Sequence, residues 1–419
     1  MRILINTLNF YPETIGIGKY SGEMARWLVM RGHEVTVITS YPYYPRWRVS
    51  DGFKKYFWSR EILHGVRVWR CPIWIPTNVT GLTRLIHLAT FSLSSFPIMF
   101  WKIFWRPNIV MTIEPPFFTS PTALITSKIS GAKSILHIQD YEIDAAFNLG
   151  ILKGVFLKSV ILKIEKLLMR QFDLISTISG AMVKKAISKG VQPEKTFFFP
   201  NWVDVASSLQ PSQGCNIVRA STYIDYRERL QLPMESVVAL YSGNMGAKQG
   251  LEILGQAAKR FADSDMPLPQ LHFVFCGDGV GRNALMDLCS GLKNVRFIDL
   301  QPEEQLVNFL TMADIHLLPQ RGGAADIVMP SKLGGILASG RPVLACAHIG
   351  TELANVSKIG GLVVPPNDLD AFCGALLNLV IDPELRCRLG QAGLQYAVDN
   401  LDKDLILGSF EAKLKELAQ

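Results

Sequence analysis

Residues 326–345 read Asp-Ile-Val-Met-Pro-Ser-Lys-Leu-Gly-Gly-Ile-Leu-Ala-Ser-Gly-Arg-Pro-Val-Leu-Ala. The pattern predicts a loop, a short helix starting near Ser331, a stop at Gly340 and a buried strand from Pro342. Such a helix aims its first backbone N–H groups at whatever lies above the loop. Those unsatisfied donors, with the positive end of the helix dipole, form a site for a phosphate. Lys332 adds a mobile positive charge. The stretch therefore points to a phosphorylated ligand at the junction of a loop and a helix in an α/β sheet.

Working outward, short runs rich in Val, Ile, Leu and Phe on both parities alternate with helical patterns. The first series is 3–9, 34–39, 66–71, 109–113, 134–139, 174–177 and 196–199, and the second is 237–241, 272–276, 295–298, 315–318, 342–345 and 361–364. Strands that are apolar on both faces belong to parallel sheets covered by helices, and the strand–helix alternation indicates βαβ units. The expected fold is α/β: two doubly wound, Rossmann-like domains facing a cleft. The reading places them at residues 1–205 and 206–395, with a C-terminal helix in 396–419 that would cross back to the first domain. The boundary follows from the Ser/Gln/Pro-rich run 206–214, with a short helix expected over 221–230.

With 419 residues and 48% hydrophobic content, the chain can form two full cores and is not disordered. Its seven cysteines, Cys71, Cys215, Cys276, Cys289, Cys346, Cys373 and Cys387, form no Cys-x-x-Cys pair. Zinc and a disulfide framework are not indicated, and a reducing cytosol is expected. No signal peptide is read at the N-terminus. The formal charge of +7 suits an anionic substrate or an anionic membrane surface, and no basic run interleaved with aromatics suggests nucleic acid. Residues 88–101 are free of formal charge and strongly apolar, flanked by His87, Lys102 and Arg106 and extended by Ile103, Phe104 and Trp105. The segment is too short to span a bilayer. It reads either as a buried helix or as an interfacial helix resting on a membrane.

Ligands of doubly wound folds bind beyond the carboxyl ends of the strands, so the chemistry is sought there. The first strand runs into a loop with Gly16 and Gly18, which permit close backbone approach at a helix start. The third glycine of a dinucleotide fingerprint is missing and no acid ends the second strand, which speaks against NAD. The run 139–144 holds Asp140, Glu142 and Asp144, carboxylates that must face solvent, a cleft or cations. Asp140 is the candidate for contact with a sugar hydroxyl. In the second half, Gly243, Asn244, Gly246 and Lys248 form a turn suited to a diphosphate, although it is not a Walker A loop. Gly277 and Asp278 make a sharp turn that could lie under a nucleobase. The Asp-x-Asp triplets 263–265, 368–370 and 402–404 follow no core strand and read as solvated loops or helix faces.

Taken in order, the glycine loop, Arg31 to Ile38, Phe199 to Asp204, Gly243 to Gly250 and the Pro330-Ser331-Lys332 block resemble the retaining glycosyltransferases of family 4, of the GT-B fold. Residues 241–250 and 326–333 look most like bacterial exopolysaccharide enzymes of the colanic acid type. The resemblance implies transfer of a sugar from a nucleotide-diphosphate donor without a metal or other cofactor. The acceptor would be a glycan on a polyprenyl-diphosphate lipid at the cytoplasmic face of the membrane. It places Lys248 and Asp326, with Asp140, in the reacting site, and Gly16, Gly18, Gly243, Asn244, Gly277, Asp278, Ser331 and Lys332 around the donor. GDP-fucose is one donor it permits. The chain departs from the family at Asn244, where many members have Arg, and at Gln139, where many have His. It also carries Ile327 and Gly335 where many carry two glutamates, and Asp326 stands one residue before the first. A nucleotide-sugar epimerase or phosphorylase of the same fold, and a membrane-associated protein that binds a donor without transferring it, stay open as alternatives.

Overall fold

The computed structural model describes residues 1–14, 16–53, 57–148, 154–205, 226–246, 249–263, 270–321 and 331–419. They form two compact units: Met1–Pro200 with Ile406–Gln419, and Asn201–Leu405. The first unit thus ends at Pro200 rather than 205, and the second runs to Leu405 rather than 395. The reason is local. Val203 pairs with the segment that enters the last helix, its N–H donating to Leu401 O at 2.8 Å and its carbonyl accepting from Lys403 N at 3.1 Å.

In the first unit, β1 (Arg2–Asn6), β2 (Glu34–Ser40), β3 (Ser59–Leu63), β4 (Val66–Cys71), β5 (Ile109–Glu114), β6 (Lys133–Ile138), β7 (Leu174–Thr177) and β8 (Thr196–Phe198) build one sheet. Its order is β3-β4-β2-β1-β5-β6-β7-β8, parallel except for β3, which runs antiparallel to β4. Strand β3 was not expected: its Arg60 and Glu61 carry no apolar pattern, because an edge strand need not bury either face. The interior strands do, and β5 is buried along its whole length.

The helices of this unit are α1 (Ile17–Met30), α2 (Gly81–Trp101), α3 (Ser120–Ser130), α4 (Glu142–Asn148), α5 (Val155–Met169) and α6 (Gly180–Ser188). A reciprocal capping box starts α2: Thr80 Oγ1 accepts from Thr83 N, and Thr83 Oγ1 accepts from Thr80 N. The apolar segment noted in the sequence lies in the second half of α2.

The second unit holds β9 (Val237–Ser242), β10 (Leu271–Cys276), β11 (Val295–Ile298), β12 (Ile315–Leu318), β13 (Val343–Cys346) and β14 (Gly361–Val364), all parallel in the order β11-β10-β9-β12-β13-β14. Its helices are α7 (Glu252–Ala262), α8 (Arg282–Leu288), α9 (Leu306–Thr311), α10 (Ser331–Ala338), α11 (Glu352–Ser357), α12 (Leu369–Ile381) and α13 (Pro383–Asn400). The core between the sheet and α7, α8 and α12 is built on Tyr241, Phe273, Phe275 and Phe372. Each fully buried aromatic of this kind adds roughly 1.5–3 kcal/mol of hydrophobic stabilisation.

The final helix, α14 (Lys403–Ala418), starts in the second unit and belongs to the first from Ile406 onward. Phe410 stacks on Phe199 with ring centroids 4.0 Å apart. Glu411 is buried against His33 Nε2 at 2.9 Å and Arg31 Nε at 3.2 Å. Cys71, Cys276, Cys289, Cys346 and Cys373 are free and buried, and Cys215 lies outside the described residues.

In both sheets the strand order reverses beside a strand followed by a glycine loop. In the first unit β1 lies between β2 and β5, and in the second β9 lies between β10 and β12. Such switch points are where doubly wound folds open a crevice at the carboxyl edge.

Candidate functional site

In the second unit the switch point is made by two interlocked turns. After β9, Gly243 adopts φ 137, and after β10, Gly277 and Gly279 adopt φ 151 and 145, values that L side chains rarely take. The turns are tied together by Gly243 N donating to Cys276 O, Met245 N to Asp278 O and Gly281 N to Met245 O. Their approach leaves no room for a side chain, since a Cβ on Gly277 would stand 1.9 Å from Gly243 O. Asn244 and Asp278 are exposed at this edge. The Tyr241 hydroxyl donates to Asn244 O at 2.6 Å, and Asp278 Oδ1 accepts from Gly279 N at 2.7 Å.

Helix α10 begins at Ser331 against this turn, and Lys332 extends back beneath it. The Lys332 ammonium stands 4.3 Å from the Tyr241 ring centroid and donates to Gln249 Oε1 at 3.3 Å. No carboxylate pairs with it among the described residues. Burial, with nothing to offset it, pushes the Lys332 ammonium down to about 7. A cation stripped of water and left without a counter-charge at a helix start is suited to take an anion.

Five of the candidate donor residues, Gly243, Asn244, Gly277, Asp278 and Lys332, are thus brought to one edge, with Ser331 opening the adjacent helix. Lys248, Asp326 and the neighbouring Ile327 lie outside the described residues. Tyr241 and Gln249 were not singled out in the sequence. Tyr241 reads there as an ordinary core strand residue, and Gln249 carries no pattern of its own.

Gly334 and Gly335 sit inside α10 for different reasons. A Cβ at Gly334 would meet Val203 Cγ1 at 2.9 Å, so the glycine lets the linking segment lie against the helix. A Cβ at Gly335 would meet only Leu310 Cδ1, at 3.4 Å.

In the first unit, Gly16 has φ 58 and open space around it, and it precedes the first turn of α1 with no side-chain cap. Gly18 is a packing glycine, since a Cβ there would stand 2.7 Å from Glu13 Cβ. Glu13, missed in the sequence, fixes this edge: its carboxylate accepts from Asn9 Nδ2, Tyr43 N and Tyr44 N at 2.7–2.8 Å. Burial outweighs those bonds and raises its pKa.

Asp140 is half-buried just past β6. Behind it the acids separate. Asp144 meets Lys185 at 2.9 Å and Lys189 at 2.7 Å, as a carboxylate near cations should. Glu142 is instead buried, accepting from Phe117 N at 2.9 Å, and burial raises its carboxyl to about 7. Glu114, at the end of β5, is buried too and raised well above the usual carboxylate range by burial and by Glu165 and Glu142.

The Asp-x-Asp residues of 368–370 and 402–404 make local structural contacts, and Asp265 lies outside the described residues. Asp368 caps α12 by accepting from Ala371 N, Asp370 pairs with Arg260, and Asp402 accepts from Asp404 N and Leu405 N.

Residues 16–202 match a family described as "Glycosyl transferase 4-like domain", and residues 236–382 match one described as "Glycosyl transferases group 1". The chain is 37% identical over 419 residues, 98% of either chain, to WcaI of Escherichia coli K12, whose name assigns it to colanic acid biosynthesis as a glycosyl transferase. It is 29% identical over 178 residues, 41% of either chain, to the D-inositol 3-phosphate glycosyltransferase of Corynebacterium glutamicum. Among solved structures, sucrose-phosphate synthase from Thermosynechococcus elongatus superposes with a TM-score of 0.74 at 17% identity, covering 99% of this chain and 98% of its own. Anabaena Alr3699/HepE, solved with UDP and glucose, superposes with a TM-score of 0.69 at 15% identity, covering 99% and 100%.

Proposed function

The chain belongs to the family 4 glycosyltransferases of the GT-B fold, and from that premise we propose that its second unit holds a nucleotide-diphosphate sugar by the Gly243 turn and the start of α10. The sugar passes to a glycan acceptor bound by the first unit, in exopolysaccharide synthesis of the colanic acid kind that the E. coli relative's name describes. The acceptor is a lipid-linked oligosaccharide, carried on a polyprenyl diphosphate at the inner face of the membrane. The observation that carries this reading is Lys332, a buried ammonium without a carboxylate partner among the described residues, against a turn of glycines.

As the sugar–oxygen bond breaks, negative charge develops on the diphosphate. Lys332 and the first amides of α10 stabilise that charge, a term that grows toward the transition state. Lys248 acts with them, and Asp140 and Asp326 contact the sugars. The anomeric carbon becomes oxocarbenium-like, and attack from the leaving-group face gives retention. Charge neutralisation is assigned to lysines and helix amides rather than to a divalent ion, so EDTA is expected to leave transfer intact.

The test is a panel of UDP-, GDP- and dTDP-sugars, GDP-fucose among them, read by thermal stabilisation and by transfer to a lipid-linked oligosaccharide. One donor should stabilise the protein by ~2.7 kcal/mol at a hundred times its dissociation constant. Lys332→Ala should abolish that shift and lower transfer by about 100-fold or more. Full transfer by Lys332→Ala would sink the assignment. Gly335, standing where many relatives carry a glutamate, favours one second reading, a donor-binding protein that does not transfer. Stabilisation by a donor with neither transfer nor hydrolysis would support it.

A further inference from the structure

A helix on a protein surface normally turns its apolar side inward. Helix α2 turns polar groups inward as well. His87, Ser92 and Ser95 are buried with Leu88, Phe91 and Met99. Both serines bond within the helix and the histidine bonds outside it through one ring nitrogen: Ser92 Oγ donates to Leu88 O, Ser95 Oγ donates to Ser92 O, and His87 Nδ1 lies 2.6 Å from Trp74 O.

The outward face carries Leu82, Ile86, Leu93, Phe96 and Phe100, and Phe104 follows in the next turn. Leu93 is 75% and Phe104 78% exposed. Their spacing follows the helical period, so they form one stripe. Over 21 residues the stripe is ~30 Å long. Single exposed apolar residues are ordinary, but a continuous stripe marks a surface that is covered in use.

The charge of the stretch of chain that contains the stripe is one-sided. Between Glu61 and Asp140 the only acid is Glu114, which is buried. The same stretch holds six cations that are not buried, Arg67, Arg84, Lys102, Arg106, Lys128 and Lys133, of which Arg67 pairs with Glu34, while Arg70 is buried against Glu61. Lys102, at the end of the stripe, lies 5.7, 5.5 and 5.2 Å from the rings of Trp69, Trp101 and Trp105. No carboxylate pairs with it among the described residues. Tryptophans around a lysine at the end of an apolar run are the composition of a membrane–water interface. No described helix is long and apolar enough to cross a membrane.

We propose that α2 lies flat on an anionic bilayer, its apolar stripe reaching the acyl boundary and Lys102, Trp101 and Trp105 resting at the headgroups. This rests on the reading that the acceptor is lipid-linked. Helix α2 connects the carboxyl end of β4 to the amino end of β5, so it runs antiparallel to the parallel strands. Its N-terminal end therefore lies at the carboxyl edge of the sheet, which docking sets at the membrane surface. A lipid-linked acceptor reaches that edge without leaving the bilayer.

The test is co-sedimentation of the full chain with vesicles of phosphatidylcholine alone or mixed with phosphatidylglycerol. The protein should bind the mixed vesicles, and Leu93→Asp with Phe100→Asp should weaken binding by about tenfold or more. The double variant should keep its melting temperature, its stabilisation by donor and its transfer to a water-soluble oligosaccharide. Equal binding of variant and parent to the mixed vesicles overturns the proposal, as does no binding by either. A parent that is a dimer without lipid and a variant that is a monomer would make the stripe a protein interface, which also overturns it. Vesicle binding lost in the variant while neither protein transfers sugar to any acceptor would support docking and refute the transferase reading.

Discussion

The Lys332 ammonium lies 4.3 Å from the centre of the Tyr241 ring and donates to the neutral Gln249 amide. Burial alone holds Lys332 at about 7. An incoming diphosphate favours the charged form and must raise that value. At pH 8 donor binding should therefore take up close to one proton. The uptake should fade well below pH 7, where Lys332 is already charged. Calorimetry in two buffers of different ionisation enthalpy reads it. Lys332→Met should remove the uptake, weaken donor binding and raise the melting temperature, because an unpaired buried charge costs stability. Unchanged proton uptake in Lys332→Met would assign it to another group.

Gly277→Ala tests the interlocked turns. Its Cβ would fall 1.9 Å from Gly243 O at a φ of 151, and the obstacle is backbone. The cost should exceed about 1–3 kcal/mol, and donor-induced stabilisation should disappear. Gly374 lies in the middle of α12 with nothing within 4 Å of its Cβ position. Gly374→Ala should instead stabilise by roughly 0.5–1 kcal/mol. Denaturant melts of both variants check the contrast, and a milder loss at Gly277 than at an ordinary surface position would contradict it.

What the sequence disclosed follows from burial. Runs 174–177 and 315–318 coincide with observed strands buried along their whole length, because parallel strands covered on both faces must shed their charges, and runs 66–71, 295–298 and 361–364 coincide with strands that keep enough buried positions to show. Strand β3 had no such requirement and stayed hidden. The Pro-Ser-Lys block exposed Lys332 because a helix start and a lysine are adjacent in the chain. Tyr241, Gln249 and Glu13 were not visible as site residues, since their roles come from contacts between separate elements, which leave no spacing signature. Glu142 shows the same limit: its burial is tolerated by a backbone N–H from Phe117, 25 residues away.

The attachment of α14 should make stability depend on acid pH. Burial pushes the Glu411 carboxyl up, but Lys415, His33 and Arg31 together outweigh it and hold it at about 2. A carboxyl depressed on folding stabilises fully above its unfolded value of about 4.3 and loses that contribution as pH falls toward 2. Glu411→Gln should lower the melting temperature at pH 6, and the difference from the parent should shrink between about pH 4.3 and 2. Thermal melts across that range check it, and a difference independent of pH would mean that Glu411 acts through packing alone.

The adjacent glycines of α10 should respond to alanine with opposite signs. Inside a helix, replacing glycine by alanine gains roughly 1 kcal/mol from propensity alone. At Gly335 the added Cβ meets Leu310 Cδ1 at an ordinary 3.4 Å, so the gain should appear nearly in full. At Gly334 the Cβ would press on Val203 Cγ1 at 2.9 Å, and Val203 is fixed by its backbone bonds to Leu401 and Lys403. Overpacking of this kind costs about 1–3 kcal/mol and should outweigh the propensity gain. Gly334→Ala should therefore melt earlier than the parent and Gly335→Ala later. Gly335→Glu extends the argument to function. The position has room for a Cβ, and the family resemblance implies a glutamate there, which would serve the donor ribose. Tighter binding of the donor by Gly335→Glu would show that this chain binds its nucleotide without that contact. Unchanged affinity would place the ribose elsewhere on the edge.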